Sequence, residues 1–204
     1  MNQKMWNELA SEEQLNNAVS ALEDKGFGVI VAETAKEASE KILGMIPKGS
    51  VVMDNSSVTL ETLGIKEAIE SGDYISARKA IWAVNDKAER DAARKKYSIV
   101  DYGLGSANAI TEQGELIIAS NTGSQIPTYA FNAEKVIFAI GTHKIVRDIA
   151  EGLERIEKYV VPLEDEHMLK LYGMHTAQNK ILVIRGENIP GRITVVLIKE
   201  SVGF

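Results

Sequence analysis

Three stretches carry the residue types of a ligand site. Asn55-Ser-Ser-Val-Thr59 follows the apolar run Val51-Val-Met53 and precedes a helical pattern. Asn55, Ser56, Ser57 and Thr59 offer an amide and three hydroxyls. A helix start adds unpaired N–H groups and the positive end of a dipole, a combination suited to phosphate or carboxylate. The same side chains would also cap that helix. No glycine stands in the loop, so it is not a P-loop. In the second stretch, Thr111-Glu112, a carboxylate beside small residues has the chemistry of a nucleophile or general base. Gln113-Gly114 follows it, so a solvated turn is the competing reading. The third stretch, Ser120-Asn-Thr-Gly-Ser124, follows the apolar run Glu115–Ala119. The backbone and hydroxyls of Ser120, Asn121, Thr122 and Gly123 could cradle an anion or simply turn the chain. Lys144, beside His143 after another apolar run, adds a cation.

Other chemistry is thinly represented. His167 and His175 are eight residues apart, which matches no standard metal spacing, and no metal site is expected. Gly103-Leu-Gly-Ser-Ala-Asn108 is a fragment of a dinucleotide pattern without its third glycine or a well-placed acid. No cofactor is expected.

These loops need a scaffold, and hydrophobic periodicity predicts one. Met1–Ala10 is expected to form a helical arm. Ser11-Glu-Glu-Gln14 reads as a capping box opening a helix that ends at Gly26. Thr34-Ala-Lys-Glu37 is a second box. Further helices are expected after Thr59 to about Ser71, over Lys87–Lys96, over Lys144–Tyr159, and over residues 163–173. Residues 73–85 read ambiguously. Apolar runs at 27–32, 51–53, 115–119, 135–141, 181–184 and 193–198 read as strands. Strands alternating with helices imply an α/β fold with a mostly parallel sheet covered on both faces. Solid apolar runs fit strands buried on both sides. The last two strands have no helix between them and are expected to pair antiparallel at an edge.

Bulk properties narrow the partners. The 204 residues are 45% apolar and 25% charged, enough for one domain with a sizeable core. A net charge of −6 argues against nucleic acid or an anionic membrane as the main partner. The chain has no cysteine, which removes disulfides, zinc–thiolate sites and iron–sulfur clusters from it. Neither a signal-peptide core nor a bilayer-length apolar run is present, so a cytoplasmic protein is expected. A homodimer is the default assembly.

Several blocks together resemble the lactate-utilisation (LUD) domain family, and within it the small single-domain branch similar to lactate-utilisation protein C. They are Ala21-Leu-Glu-Asp-Lys-Gly-Phe27 with Glu33-Thr34, Ile46-Pro-Lys-Gly-Ser50, and Val58-Thr-Leu-Glu-Thr-Leu-Gly64. Asn108-Ala-Ile-Thr-Glu-Gln-Gly-Glu-Leu116 is the most specific, and Lys144-Ile-Val-Arg-Asp148 and Arg192-Ile-Thr-Val-Val-Leu-Ile198 with Gly203-Phe204 complete the set. The resemblance implies a Rossmann-like α/β fold of the type shared by glucosamine-phosphate deaminase, ribose-phosphate isomerase and CoA transferases (the NagB/RpiA/CoA-transferase-like fold). It also implies a link to bacterial oxidation of L-lactate to pyruvate, with iron–sulfur subunits as partners. In CoA transferases of that fold a Glu before a small residue and Gly is nucleophilic, and Glu112-Gln-Gly114 looks similar. Many relatives carry a cysteine cluster before the last strands, whereas Tyr172–Ile181 here has none. Three functions stay open. One is an accessory component of lactate or related organic-acid oxidation. Another is a stand-alone enzyme or binder of a phosphorylated or CoA-like small anion. The third is a non-catalytic interaction domain. In the first two, residues 55–59, 112 and 120–124 are expected to share a cleft.

Overall fold

The computed structural model describes residues 6–204. Ser11 opens the first helix, α1 (Glu12–Asp24). Its hydroxyl accepts from the Gln14 N–H, and the Gln14 side chain accepts from the Ser11 N–H. The expected helical arm begins in residues 1–5, outside the described residues. Residues 6–10 form a turn and bend, not a helix. A segment that short has little helical stability unless it is packed on something.

The chain then alternates: β1 (Gly28–Ala32), α2 (Ala35–Gly44), β2 (Val51–Asp54), α3 (Val58–Thr62), α4 (Ile65–Glu70) and β3 (Ile75–Ser76). There follow α5 (Ala77–Trp82), α6 (Lys87–Lys96) and β4 (Val100–Gly105). The helix expected after Thr59 is broken in two. Gly64 adopts φ +66, the left-handed region open to glycine, and turns the chain between α3 and α4. The ambiguous 73–85 segment resolves into β3 and α5.

The second half holds β5 (Ala109–Thr111), β6 (Leu116–Ser120), a π-helical turn at Thr128–Asn132 and β7 (Ala133–Gly141). After it come a short turn at Thr142–Lys144 and β8 (Ile145–Val146). One long helical stretch follows, made of α7 (Ile149–Arg155), a π-helical turn (Ile156–Val160) and α8 (Val161–Tyr172). The chain finishes with β9 (Lys180–Ile184) and β10 (Ile193–Ile198). The helix expected from Lys144 therefore starts five residues later, capped by the Asp148 side chain. Ile145 and Val146 are extended instead. They pair with Ile110 and Thr111, where β-branched side chains fit well.

Six strands form a parallel sheet in the order β1-β10-β7-β4-β2-β3. Neighbouring side chains on its central strands go to opposite cores. Val136, Phe138 and Ile140 of β7 join α1 and α5, while Ile137 and Ala139 join α2, α3 and α4. This two-sided burial explains the solid apolar runs. A second, four-stranded sheet has the order β8-β5-β6-β9. Its inner residues Ile110, Leu116 and Ile118 share the α1 core, and its outer residues Ala109, Ile117 and Val146 pack with Ile156 and Val160.

The expected antiparallel pair of terminal strands does not form. β9 pairs antiparallel with β6 in the small sheet, and β10 runs parallel between β1 and β7. Asn188-Ile-Pro-Gly191 thus carries the chain from one sheet to the other rather than closing a hairpin.

One close approach ties β4 to the π-helical turn. A β-carbon on Gly105 would overlap the Tyr129 ring and hydroxyl. Tyr129 is itself buried against Phe138, with ring centroids 4.8 Å apart. Its carbonyl accepts from Arg192, so it has no room to retreat. Gly105→Ala is expected to cost about 1–3 kcal/mol, the usual range for overpacking. Urea unfolding checks this, and a loss within error would mean that Tyr129 swings away freely.

Candidate functional site

Strand order places the site. From β2 the chain moves outward to β3, with α3 and α4 on one face. From β4 it moves the other way to β7, through the small sheet and the Tyr129 turn on the opposite face. The two connections diverge beyond the ends of β2 and β4. In open α/β sheets a crevice for ligand forms at such a point.

A cavity of about 110 Å³ lies there, lined by Asp54, Asn55, Ser56, Arg78, Arg94, Ser124, Gln125 and Thr128 together with apolar neighbours. It is much smaller than the roughly 300–1,000 Å³ of drug-sized pockets and suits a small molecule. Asp54 ends β2 and is 2% exposed, and its Oδ1 has no hydrogen-bond partner. Burial raises its pKa to about 6, against the opposing pull of Arg78. Asn55 is fixed twice by β4, since its backbone and side-chain N–H groups both donate to the Leu104 carbonyl at 3.0 and 3.3 Å. Burial pushes up the pKa of the Tyr129 hydroxyl, with Asn55 acting the other way. A carboxyl poised near neutrality beside two guanidinium groups can bind an organic acid and exchange a proton with it.

Beyond this crevice lies a sealed polar cluster. Lys144 is 2% exposed. Its Nζ donates to Thr59 Oγ1 at 2.9 Å and Ser106 Oγ at 3.2 Å, and Thr59 Oγ1 donates to the Val202 carbonyl at 3.2 Å. Among the described residues no carboxylate pairs with Lys144. Burial, with the Arg155 charge nearby, holds its pKa well below the usual lysine value. An amine whose proton affinity is lowered in this way gains nucleophilic character. His143 beside it is also buried, and burial followed by the charges of Lys144 and Arg155 lowers its pKa to about 3. The Gly203 backbone lies beside the ring, but neither ring nitrogen reaches full hydrogen-bond geometry. Here two chain crossings between the sheets run side by side, Ser106 on the one after β4 and Lys144 on the one after β7.

The sequence candidates separate accordingly. Asn55, Ser56 and Ser124 meet at the crevice. Ser57 caps α3, its hydroxyl accepting from the Leu60 N–H, and Thr59 belongs to the Lys144 cluster. Ser120, Asn121, Thr122 and Gly123 build the turn that presents Ser124 and Gln125. Ser120 Oγ donates to Gln125 Oε1 and accepts from the Gly123 N–H. Thr122 donates to Ser124, and Asn179 donates to Asn121.

Glu112 lies elsewhere. It sits past the end of β5, accepting from Gln14 at 3.1 Å and Asn17 at 3.4 Å, and so ties the small sheet to α1. Thr111 is fully buried, and its hydroxyl donates to the Glu115 carboxylate. Burial acts to raise the Glu115 pKa, but Thr111 and the Lys25 ammonium at 3.3 Å outweigh it and hold it low. These two residues staple the hairpin.

Sequence reasoning missed Asp54, Arg78 and Arg94. An acid closing a buried apolar strand was a readable signal for Asp54. The arginines had none, because α5 and α6 reach the crevice only through the fold.

The LUD domain family model matches residues 15–198. No curated protein matches the chain. Among solved structures the chain is similar to a DUF162 family protein from Deinococcus radiodurans, at 12% identity with a TM-score of 0.58, covering 94% of this chain and 99% of that one. It is also similar to eIF2B delta from Chaetomium thermophilum, at 15% identity over 70% of this chain and 54% of that one. The TM-score there is 0.35, too remote to bear on the fold. The first likeness speaks to architecture alone and agrees with a Rossmann-like α/β fold. With a family match running from α1 to β10, the chain belongs to the LUD domain family.

Proposed function

We propose that the protein binds a small organic-acid anion in the crevice between β2 and β4, as a component of L-lactate or related organic-acid oxidation to the 2-oxo acid. The observation that carries this reading is that Arg78, Arg94 (itself 3.4 Å from Asp91) and the buried Asp54 carboxyl line one cavity of about 110 Å³. The guanidinium groups take the ligand carboxylate. Asp54, in the cavity wall with a pKa of about 6, is placed next to the neighbouring oxygen. Ionised, it accepts from a 2-hydroxyl; protonated, it donates to a 2-oxo group. Oxidation of the hydroxy acid to the 2-oxo acid releases two electrons and two protons, the protons passing to solvent with Asp54 able to accept the one from the hydroxyl. A chain without cysteine carries no thiolate-held cluster to receive the electrons, so iron–sulfur partner subunits take that role. Membership of the LUD family supports the lactate connection.

Calorimetric titration with L-lactate, pyruvate and glycolate, with lactamide as the uncharged control, tests the binding. The acids should bind and lactamide should not. Arg78→Gln should weaken the acids about 10–100-fold, as expected for loss of a charge-assisted hydrogen bond. Saturating acid at about 100 times its Kd should stabilise the fold by about 2.7 kcal/mol. Absence of binding by every acid, or an affinity untouched by Arg78→Gln, would overturn the reading. For the pathway role, the gene-deleted strain should grow poorly on L-lactate, and the protein should co-purify with iron–sulfur subunits.

A further inference from the structure

A second, larger cavity of about 490 Å³ adjoins the crevice and shares Arg78 and Trp82 with it. Its walls are α4, α5 and the end of α8. They supply Lys66, Arg78 and Lys79, one carboxylate, Glu70, and two half-exposed aromatic rings, Trp82 and Tyr172. None of the three cations forms an ion pair with another described residue. In a chain of net charge −6, three unpaired cations on one groove are a local inversion of the protein's own field. The indole of Trp82 is held by two guanidinium groups, Arg90 and Arg94, each 5.3 Å from the ring centre. These two contacts set the Trp82 ring against α6.

We propose that this groove binds a nucleotide, its base stacked on Trp82 and Tyr172 and its phosphates held by Lys66, Arg78 and Lys79. Each part of the groove selects a part of that ligand. Aromatic faces take any base. The lysines and Arg78 take phosphate oxygens. Glu70 would repel a bare polyanion, yet it accepts hydrogen bonds from ribose hydroxyls or an exocyclic amine. The volume falls within the range for ligands of mononucleotide size. Three cations are too few, and the overall charge too negative, for a nucleic-acid strand. Arg78 faces both cavities, and Arg78, Glu70 and Lys66 all act electrostatically on Asp54. A phosphate in the groove is thereby coupled to the proton affinity of the acid crevice. The nucleotide reading does not require that crevice to be occupied.

The chain has two tryptophans, so Trp6→Phe leaves Trp82 as the sole reporter. That protein is titrated with ADP, adenosine and inorganic pyrophosphate, following fluorescence and calorimetry. ADP should bind saturably, change Trp82 emission, and bind more tightly than adenosine or pyrophosphate. The Lys66→Gln/Lys79→Gln double variant should weaken ADP and pyrophosphate about tenfold or more. Trp82→Leu, read by calorimetry, should weaken ADP and adenosine about tenfold and leave pyrophosphate unchanged. Lys79→Gln alone, at an exposed position, serves if the double variant melts early. No saturable ADP response at millimolar concentration would overturn the proposal. So would ADP and pyrophosphate binding alike with no effect of Trp82→Leu, which would reduce the groove to a simple anion patch. Loss of acid binding with ADP binding intact would count against the crevice and leave the groove standing.

Discussion

Asp54→Asn is expected to make the protein more stable at pH 8 and to leave its stability at pH 4 almost unchanged. The Asp54 carboxyl has a pKa of about 6 in the fold because it is buried. In the unfolded chain it returns to the ordinary carboxylate value near 4. The folded state therefore binds the proton more tightly. Below about pH 4 both states are protonated and burial of the group carries no ionisation cost. Between about pH 4 and pH 6 the unfolded state ionises first, and stability falls as pH rises. Above about pH 6 the cost is complete. The difference between the two proton affinities corresponds to about 3 kcal/mol, an order-of-magnitude figure for a nearly fully buried group. Asparagine keeps the shape and removes the charge. Denaturant melts of both proteins at pH 4, 6 and 8 should diverge with rising pH. Parallel curves would mean that Asp54 is solvated or paired. The same substitution reaches function. With Asp54 present, 2-hydroxy acids should gain on 2-oxo acids as pH rises through about 6. In the Asp54→Asn protein that preference should be flat, since an amide does not titrate.

Lys144→Met is expected to raise stability at pH 7 and lower it at pH 11. Burial, aided by the charge of Arg155, depresses the lysine pKa in the fold. On unfolding it regains a pKa near 10.4 and takes up a proton more readily. That uptake favours the unfolded state, so wild-type stability climbs as pH rises toward about 10.4 and the penalty is gone above it. Methionine fills similar space and has no proton to gain, so at pH 7 the variant should gain about 1–3 kcal/mol. At pH 11 only the lost hydrogen bonds to Thr59 and Ser106 remain, and each costs about 1 kcal/mol. The two stability curves should cross. A variant destabilised equally at both pH values would show a charged, well-paired Lys144. Two buried groups then share one sheet end, an acid in the crevice wall and an amine sealed behind Thr59 and Val202.

Much of the scaffold was legible because it depends on short-range physics. The Ser11 capping box, the Thr34 cap and the charged helix over Lys87–Lys96 involve interactions within about four residues. The apolar runs of β2, β7 and β10 record burial on both faces, which a linear pattern preserves. Where the reading failed, the deciding partner was distant. Ile145 and Val146 fit a helical stripe by period, and only pairing with β5 makes them a strand. β9 and β10 are neighbours in sequence, yet β9 finds its partner in β6 and β10 lies between β1 and β7. The two-sheet division had no sequence signature, because a buried strand reads the same in either sheet.

The candidate site divides along the same line. By itself the sequence determined that polar, small-residue loops end two apolar strands, and that no thiol chemistry is available. Tertiary structure decided which of those residues meet. It brought Asn55, Ser56 and Ser124 to one cavity and added Arg78 and Arg94 from helices with no motif. It also placed Glu112 against α1, 98 residues away in sequence from Gln14. Most decisively, it gave Asp54 and Lys144 their character. A carboxyl or an amine takes its proton affinity from the water it loses and the charges it faces, and both are properties of the packed fold rather than of the local chain.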